Sequence, residues 1–158
     1  MQTTIAETAK ILLNSGRMLT TAESCTGGMI AAACTDLAGS SQWFERGFVT
    51  YSNEAKQELL GVPATLIDTH GAVSEPAARA MALGAMTHSH ADVAIAVTGI
   101  AGPTGGSADK PVGTVWFGFA LNGECETDTR VFTGDRAAVR KATLKHAITR
   151  LNALLCLS

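Results

Sequence analysis

Charge is scarce in this sequence, and what there is nearly cancels. Lys and Arg number 12 against 14 Asp and Glu, a formal net charge of −2 over 158 residues. Without a broad positive field, neither nucleic acid nor an acidic membrane surface is an expected partner. Long apolar runs are missing too: none reaches the roughly 20 residues that cross a bilayer. Glu7 and Lys10 interrupt residues 1–15, unlike the unbroken apolar stretch of a signal peptide. Cys25, Cys34, Cys125 and Cys156 form no C-x-x-C pair and no Cys/His spacing of a zinc site. A reducing, cytoplasmic setting and no metal are the expectations. Repeats, low-complexity tracts and charge blocks are also lacking. With 46% hydrophobic residues, a single globular domain over residues 1–158 is expected.

What is present is an alternation of helix and strand signals. Ile5, Ala9, Leu12 and Leu13 recur at helical spacing before Gly16, so residues 3–15 read as an amphipathic helix. Residues 18–22 read as a strand, 23–28 as a tight turn, and the Ala-rich 29–37 as a helix lying close on a sheet. A second junction follows: strand 48–51 leads into helix 54–60, capped by Ser52 or Asn53 and ended by Gly61 and Pro63. Ser74-Glu75-Pro76 opens another helix, to about Thr87, before the apolar run 92–98, typical of a strand covered on both faces. Residues 113–121 and 125–132 flank Asn122-Gly123, suited to a type I′ hairpin, and Asp135 caps a helix to about Leu155. The pattern predicts a three-layer α/β/α sandwich with a mixed, mainly parallel sheet and a C-terminal hairpin plus helix. Ligands of such sheets collect where strands end and helices begin, so the three junction loops are expected at one edge.

Those loops hold the unusual chemistry. Ser24 stands between a strand and a helix starting near Gly27, where free backbone N–H groups stabilise negative charge. That suits a nucleophile, with Thr26, Gly27 and Gly28 beside the ligand; alternatively Ser24 or Thr26 is only a helix cap and the glycines serve close packing. Cys25 competes as nucleophile if its pKa is lowered, but buried cysteines are common and no histidine stands in a cysteine-hydrolase arrangement. Ser24 ranks above it. His70, His88, His90 and His146 lack motif context, so a Ser-His-Asp triad is unsupported. Lys56, three residues after Asn53 and on the same helical face, can serve as base if burial lowers its pKa from about 10.4 towards neutrality. The alternative is a solvated surface lysine. Tyr51 offers a hydroxyl or ring face to a substrate, or simply packs.

The segment 99–107 matches neither the G-x-x-x-x-G-K-[ST] loop nor the G-x-G-x-x-G fingerprint. Its glycines Gly99, Gly102, Gly105 and Gly106, with Thr98, Thr104 and Ser107, can still line a polar pocket or cradle a phosphate. Arg136 and Arg140, four apart on the last helix, can clamp a phosphate or carboxylate, or belong to a basic stripe with Lys141 and Lys145.

Several segments together carry a resemblance: Thr21-Ala22-Glu23-Ser24-Cys25-Thr26-Gly27-Gly28, Gly47-Phe48-Val49-Thr50-Tyr51-Ser52-Asn53-Glu54-Ala55-Lys56 and Gly71-Ala72-Val73-Ser74-Glu75. Thr98-Gly99-Ile100-Ala101-Gly102-Pro103, Gly105-Gly106-Ser107, Lys110-Pro111-Val112-Gly113-Thr114-Val115 and Gly134-Asp135-Arg136 continue it. In this order, over nearly the whole chain, they resemble the CinA C-terminal domain family. The resemblance implies metal-free hydrolysis of nicotinamide mononucleotide to nicotinic acid mononucleotide and ammonia, without a cofactor. It implies Ser24 as nucleophile, Lys56 as base and Tyr51 in support, with the 99–107 loop and an arginine of the last helix on the ribose phosphate. Larger relatives carry a further N-terminal domain, whose activity is not expected here. Two other readings stay open: a nucleotide-binding regulatory module that turns nothing over, and a hydrolase using Cys25. The many apolar helix faces on a small chain also fit a homo-oligomer.

Overall fold

Two kinds of alternation build the sheet. In the computed structural model, which describes residues 1–158, the strands are β1 (Leu19–Glu23), β2 (Phe44–Val49), β3 (Val93–Gly99), β4 (Thr114–Leu121) and β5 (Glu124–Val131). Their spatial order is β2-β1-β3-β4-β5. β1 pairs in parallel with β2 and β3, while β3–β4 and β4–β5 are antiparallel. Four strands therefore run one way and β4 alone runs against them, the mixed, mainly parallel sheet expected. The β4–β5 turn has Asn122 and Gly123 at φ 54° and 77°, the double positive φ that a type I′ turn requires.

Helices α1 (Gln2–Ser15), α2 (Met29–Thr35) and α6 (Arg136–Cys156) cover one face; α3 (Asn53–Leu60), α4 (Ala64–His70) and α5 (Glu75–Thr87) cover the other. Ser52, Ser74 and Asp135 cap α3, α5 and α6, their side chains accepting from Ala55, Ala77 and Ala138 N–H. β3 shows how the faces differ. Val93, Ile95 and Val97 join a large core with Phe117, Phe119, Leu12 and Leu151, whereas Ala94 and Ala96 face Met81 and Ala82. Small side chains on that face let α5 lie close. Gly118 on β4 is needed for the same reason, since a Cβ there would come 2.5 Å from Ala78 O.

Two local readings differ from the structure. β2 begins at Phe44, not Phe48, because parallel pairing with β1 from Leu19↔Phe44 recruits residues 44–47. Glu45 and Arg46, ion-paired on this edge strand, hide the apolar pattern. Pro63 does not merely stop α3: it is the N-cap of α4, a helix that had not been expected. A ring that cannot continue one helix is pre-set to begin the next.

The connection from β1 to β2 passes over one face through α2, and that from β2 to β3 over the other through α3, α4 and α5. β2 and β3 thus flank β1 on opposite sides, reached by connections over different faces, and a crevice opens at the carboxyl ends of β1, β2 and β3.

Candidate active site

Strand register creates the site. Glu23 pairs with Val49 on one side and Val97 on the other, so Ser24, Thr50 and Thr98 emerge side by side. Ser24 N donates to Val97 O at 3.1 Å and Thr50 N to Glu23 O at 2.8 Å. The main chain thus sets the spacing of the two strand ends that carry the reactive groups.

Ser24 opens a tight turn, with Gly27 N donating to Ser24 O at 3.0 Å. The Glu23 carboxylate, buried, sits inside the turn. Its Oε1 accepts from Thr26 Oγ1 at 2.7 Å and Ile30 N at 2.8 Å, and its Oε2 from Ala31 N at 3.0 Å. A negative charge satisfies the free N–H groups at the start of α2. From outside, Arg140 donates through Nε to Cys25 O and through Nη2 to Thr26 O, both at 3.1 Å. Cys25 N–H and Thr26 N–H donate to no main-chain carbonyl.

Lys56 reaches the same turn from α3. Ser52 starts that helix one turn before Lys56, and the side chain points inward until only 1% of the residue is exposed. Its Nζ lies 3.0 Å from Ser24 Oγ, 2.9 Å from Thr50 O, 3.2 Å from Tyr51 O and 3.5 Å from Ser52 O. No carboxylate pairs with it. Burial without a counter-charge disfavours the ammonium and pulls the pKa below the ordinary lysine value. A neutral amine has two hydrogens and one lone pair. In that form the hydrogens can go to Thr50 O and Tyr51 O, which leaves the lone pair to accept Ser24 Oγ–H. Once protonated, the amine can donate to the same Ser24 oxygen. A proton can therefore move in either direction without rearrangement of heavy atoms.

The pair lies at the buried end of a cleft of about 270 Å³. Tyr51, Asn53, Ala72, Val73, Thr98, Gly99, Ile100, Ala101, Gly102, Thr104, Cys25 and Arg136 complete its lining. Arg136 stands at the exposed end, with Nη1 donating to Gly102 O at 2.8 Å and Nη2 to Tyr51 Oη at 2.9 Å. Lys56 and Arg136 are the only ionisable residues of the lining apart from Cys25 and Tyr51, and no carboxylate is among them. The cleft favours an anion.

Cys25 is 5% exposed, and burial pushes its thiol up to about 11, so it is not a thiolate near neutral pH. None of the four histidines lines the cleft. Nor do seven residues expected from sequence beside the ligand. Thr26 is buried and bonded to Glu23, and Gly27 and Gly28 form the turn into α2 at φ 59° and 103°. Gly105, Gly106 and Ser107 belong to a distal turn closed on itself by Ser107 N donating to Lys110 O at 2.8 Å. Arg140 is held by the turn carbonyls. Glu23, Ala72 and Val73 had not been singled out. Thr98 Oγ1 donates to Ala72 O at 2.8 Å, drawing the segment before α5 over the cleft, a contact that no local pattern announces.

A mixed sheet covered by helices on both faces, with a serine hydroxyl and a buried amine meeting at its strand ends, defines an α/β protein with a polar cleft at the carboxyl edge of its sheet. The chain belongs to the CinA C-terminal domain family, whose model matches residues 1–155. It is 56% identical over 137 residues to nicotinamide-nucleotide amidohydrolase PncC of Escherichia coli, covering 86% of this chain and 83% of that one. It is also 53% identical over 147 residues to a CinA-like protein of Citrifermentans bemidjiense, of which it spans 36%. The crystal structure of the competence damage-inducible protein A of Klebsiella pneumoniae superposes with a TM-score of 0.95 at 41% identity, over 98% of this chain and 96% of that one.

Proposed function

We propose that this protein hydrolyses the carboxamide of nicotinamide mononucleotide, giving nicotinic acid mononucleotide and ammonia, with Ser24 as nucleophile and Lys56 as its base. The observation that carries this reading is Lys56 Nζ, buried without a carboxylate partner and 3.0 Å from Ser24 Oγ. The identity with relatives named nicotinamide-nucleotide amidohydrolases supports the substrate.

Neutral Lys56 takes the proton of Ser24 as Oγ bonds to the amide carbon, and the carbonyl oxygen becomes an oxyanion. The Lys56 ammonium gives that proton to the amide nitrogen, the C–N bond breaks and ammonia leaves. Water then attacks the acyl-Ser24 carbonyl while Lys56 takes a water proton. The ester bond breaks, Ser24 regains its proton from Lys56, and the product acid ionises. Arg136 retains an N–H on each terminal nitrogen beyond its bonds to Gly102 and Tyr51, and these suit the ribose phosphate. Tyr51, 59% exposed and fixed through its hydroxyl, offers its ring beside the substrate. A reducing cytoplasm fits four free thiols.

Ammonia release from nicotinamide mononucleotide in excess chelator tests the reading, with wild type beside Ser24→Ala and Lys56→Ala. Chelator-resistant release lost in both variants is expected. Saturable binding with no release by the wild type would instead assign the cleft to a non-catalytic nucleotide-binding module.

A further inference from the structure

We infer that Arg140 is a positioning residue of this reaction: through Cys25 O and Thr26 O it holds the nucleophile turn in the conformation that leaves the Cys25 N–H, beside Ser24 in the cleft lining, to face the developing oxyanion. The inference rests on the Ser24 hydrolase reading but not on the identity of the substrate.

Peptide planarity carries the argument. In a trans peptide the C=O and the N–H point in opposite directions. Arg140 draws Cys25 O towards α6 at 3.1 Å, which turns the Thr26 N–H of the same peptide away from α6. Ser24 O accepts from Gly27 N inside the turn, which sends the Cys25 N–H of its peptide outward. Neither N–H donates to a main-chain carbonyl. Glu23 does not claim them, since its oxygens are committed to Thr26 Oγ1, Ile30 N and Ala31 N. Cys25 lines the cleft next to Ser24.

Arg140 itself does not line the cleft, whereas Arg136, one turn earlier on α6, does. The helix thus presents two arginines with separate duties. Loss of Arg140 should lower turnover and leave substrate affinity alone, because nothing in contact with the substrate is removed. Two charge-assisted bonds from one rigid fork hold two successive carbonyls, a task a lysine cannot duplicate. A displacement of about 1 Å in such a group costs about a hundredfold in rate.

The test compares wild type, Arg140→Ala and Arg140→Lys in two measurements: steady-state ammonia release from nicotinamide mononucleotide, and the rate at which a fluorophosphonate labels Ser24. For Arg140→Ala we expect kcat to fall about a hundredfold with KM within about twofold, labelling to slow in parallel, and added guanidinium ion to restore part of both. Arg140→Lys should fall between the two. If the alanine variant does not fold by circular dichroism, the lysine variant decides by the same criteria. A raised KM at unchanged kcat would make Arg140 a substrate-binding residue and overturn the inference, as would unchanged kcat and labelling. Wild type that labels at Ser24 yet releases no ammonia removes the proposed substrate, and the labelling rates then decide the role of Arg140. If wild type neither labels nor turns over, the hydrolase reading falls and this inference with it.

Discussion

Replacing Lys56 by Met keeps an unbranched apolar stem of four atoms, with sulfur in place of Cδ, and removes the amine, so it tests what that amine does. Lys56 Nζ faces Ser24 Oγ at 3.0 Å and is the only basic nitrogen bonded to it. General acid–base catalysis contributes 10²–10⁴-fold, and here one group both accepts the Ser24 proton and delivers it to the leaving nitrogen. The upper end, about 10⁴-fold or about 5.4 kcal/mol of barrier, is therefore expected in kcat. Stability supplies an independent check. The pKa of Lys56 is lowered in the folded protein by burial, so between that pKa and about 10.4 the unfolded chain holds a proton that the folded one lacks. Within this window wild type gains stability relative to Lys56→Met as pH rises, by up to about 1.4 kcal/mol per pH unit. Below the folded pKa both states are protonated and the difference is constant. Urea unfolding of both proteins from pH 7 upward measures the slope, and the pH profile of kcat/KM for the wild type should rise with an apparent pKa below 10.4 in the same window. A stability difference independent of pH, or Lys56→Met activity within tenfold of wild type, would refute the assignment of a neutral lysine as base.

Arg136→Ala should raise KM for nicotinamide mononucleotide by about 10–100-fold, the worth of one charge-assisted hydrogen bond, while leaving KM for the phosphate-free nucleoside nearly unchanged; equal effects on both would separate Arg136 from the phosphate. Cys25→Ala should keep most activity, and iodoacetamide near neutral pH should leave wild type active because the buried thiol is protonated. Rapid inactivation that tracks alkylation of Cys25 would contradict this. Gly99→Ala should lower stability by about 1–3 kcal/mol and depress turnover, since its Cβ would meet Val115 Cγ2 at 2.7 Å and Cys25 Sγ at 3.2 Å. A thermal melt and an activity assay that both match wild type would show that the loop yields more readily than this packing implies.

Local chemistry determined most of the architecture. Helical spacing at Ile5, Ala9 and Leu12, the caps Ser52, Ser74 and Asp135, and the Asn122-Gly123 turn depend on neighbours a few residues away, and the structure follows them. The chain alone also named Ser24, Lys56, Tyr51 and Arg136 among its candidates, because each stands at a strand-to-helix junction or a helix start and matches a family pattern. It left Lys56 open between a solvated surface residue and a base. Only the tertiary structure decided that, by closing Thr50, Tyr51 and Ser24 around Nζ and excluding the water that would keep an ammonium charged. Likewise Arg136 and Arg140 are equivalent in spacing, and the difference between them arises because one meets the cleft and the other the carbonyls of a turn more than a hundred residues away. Strand order, the β2 start hidden by Glu45 and Arg46, and the buried place of Glu23 were equally out of reach. Each depends on contacts between residues distant in sequence, and short-range periodicity carries no record of them.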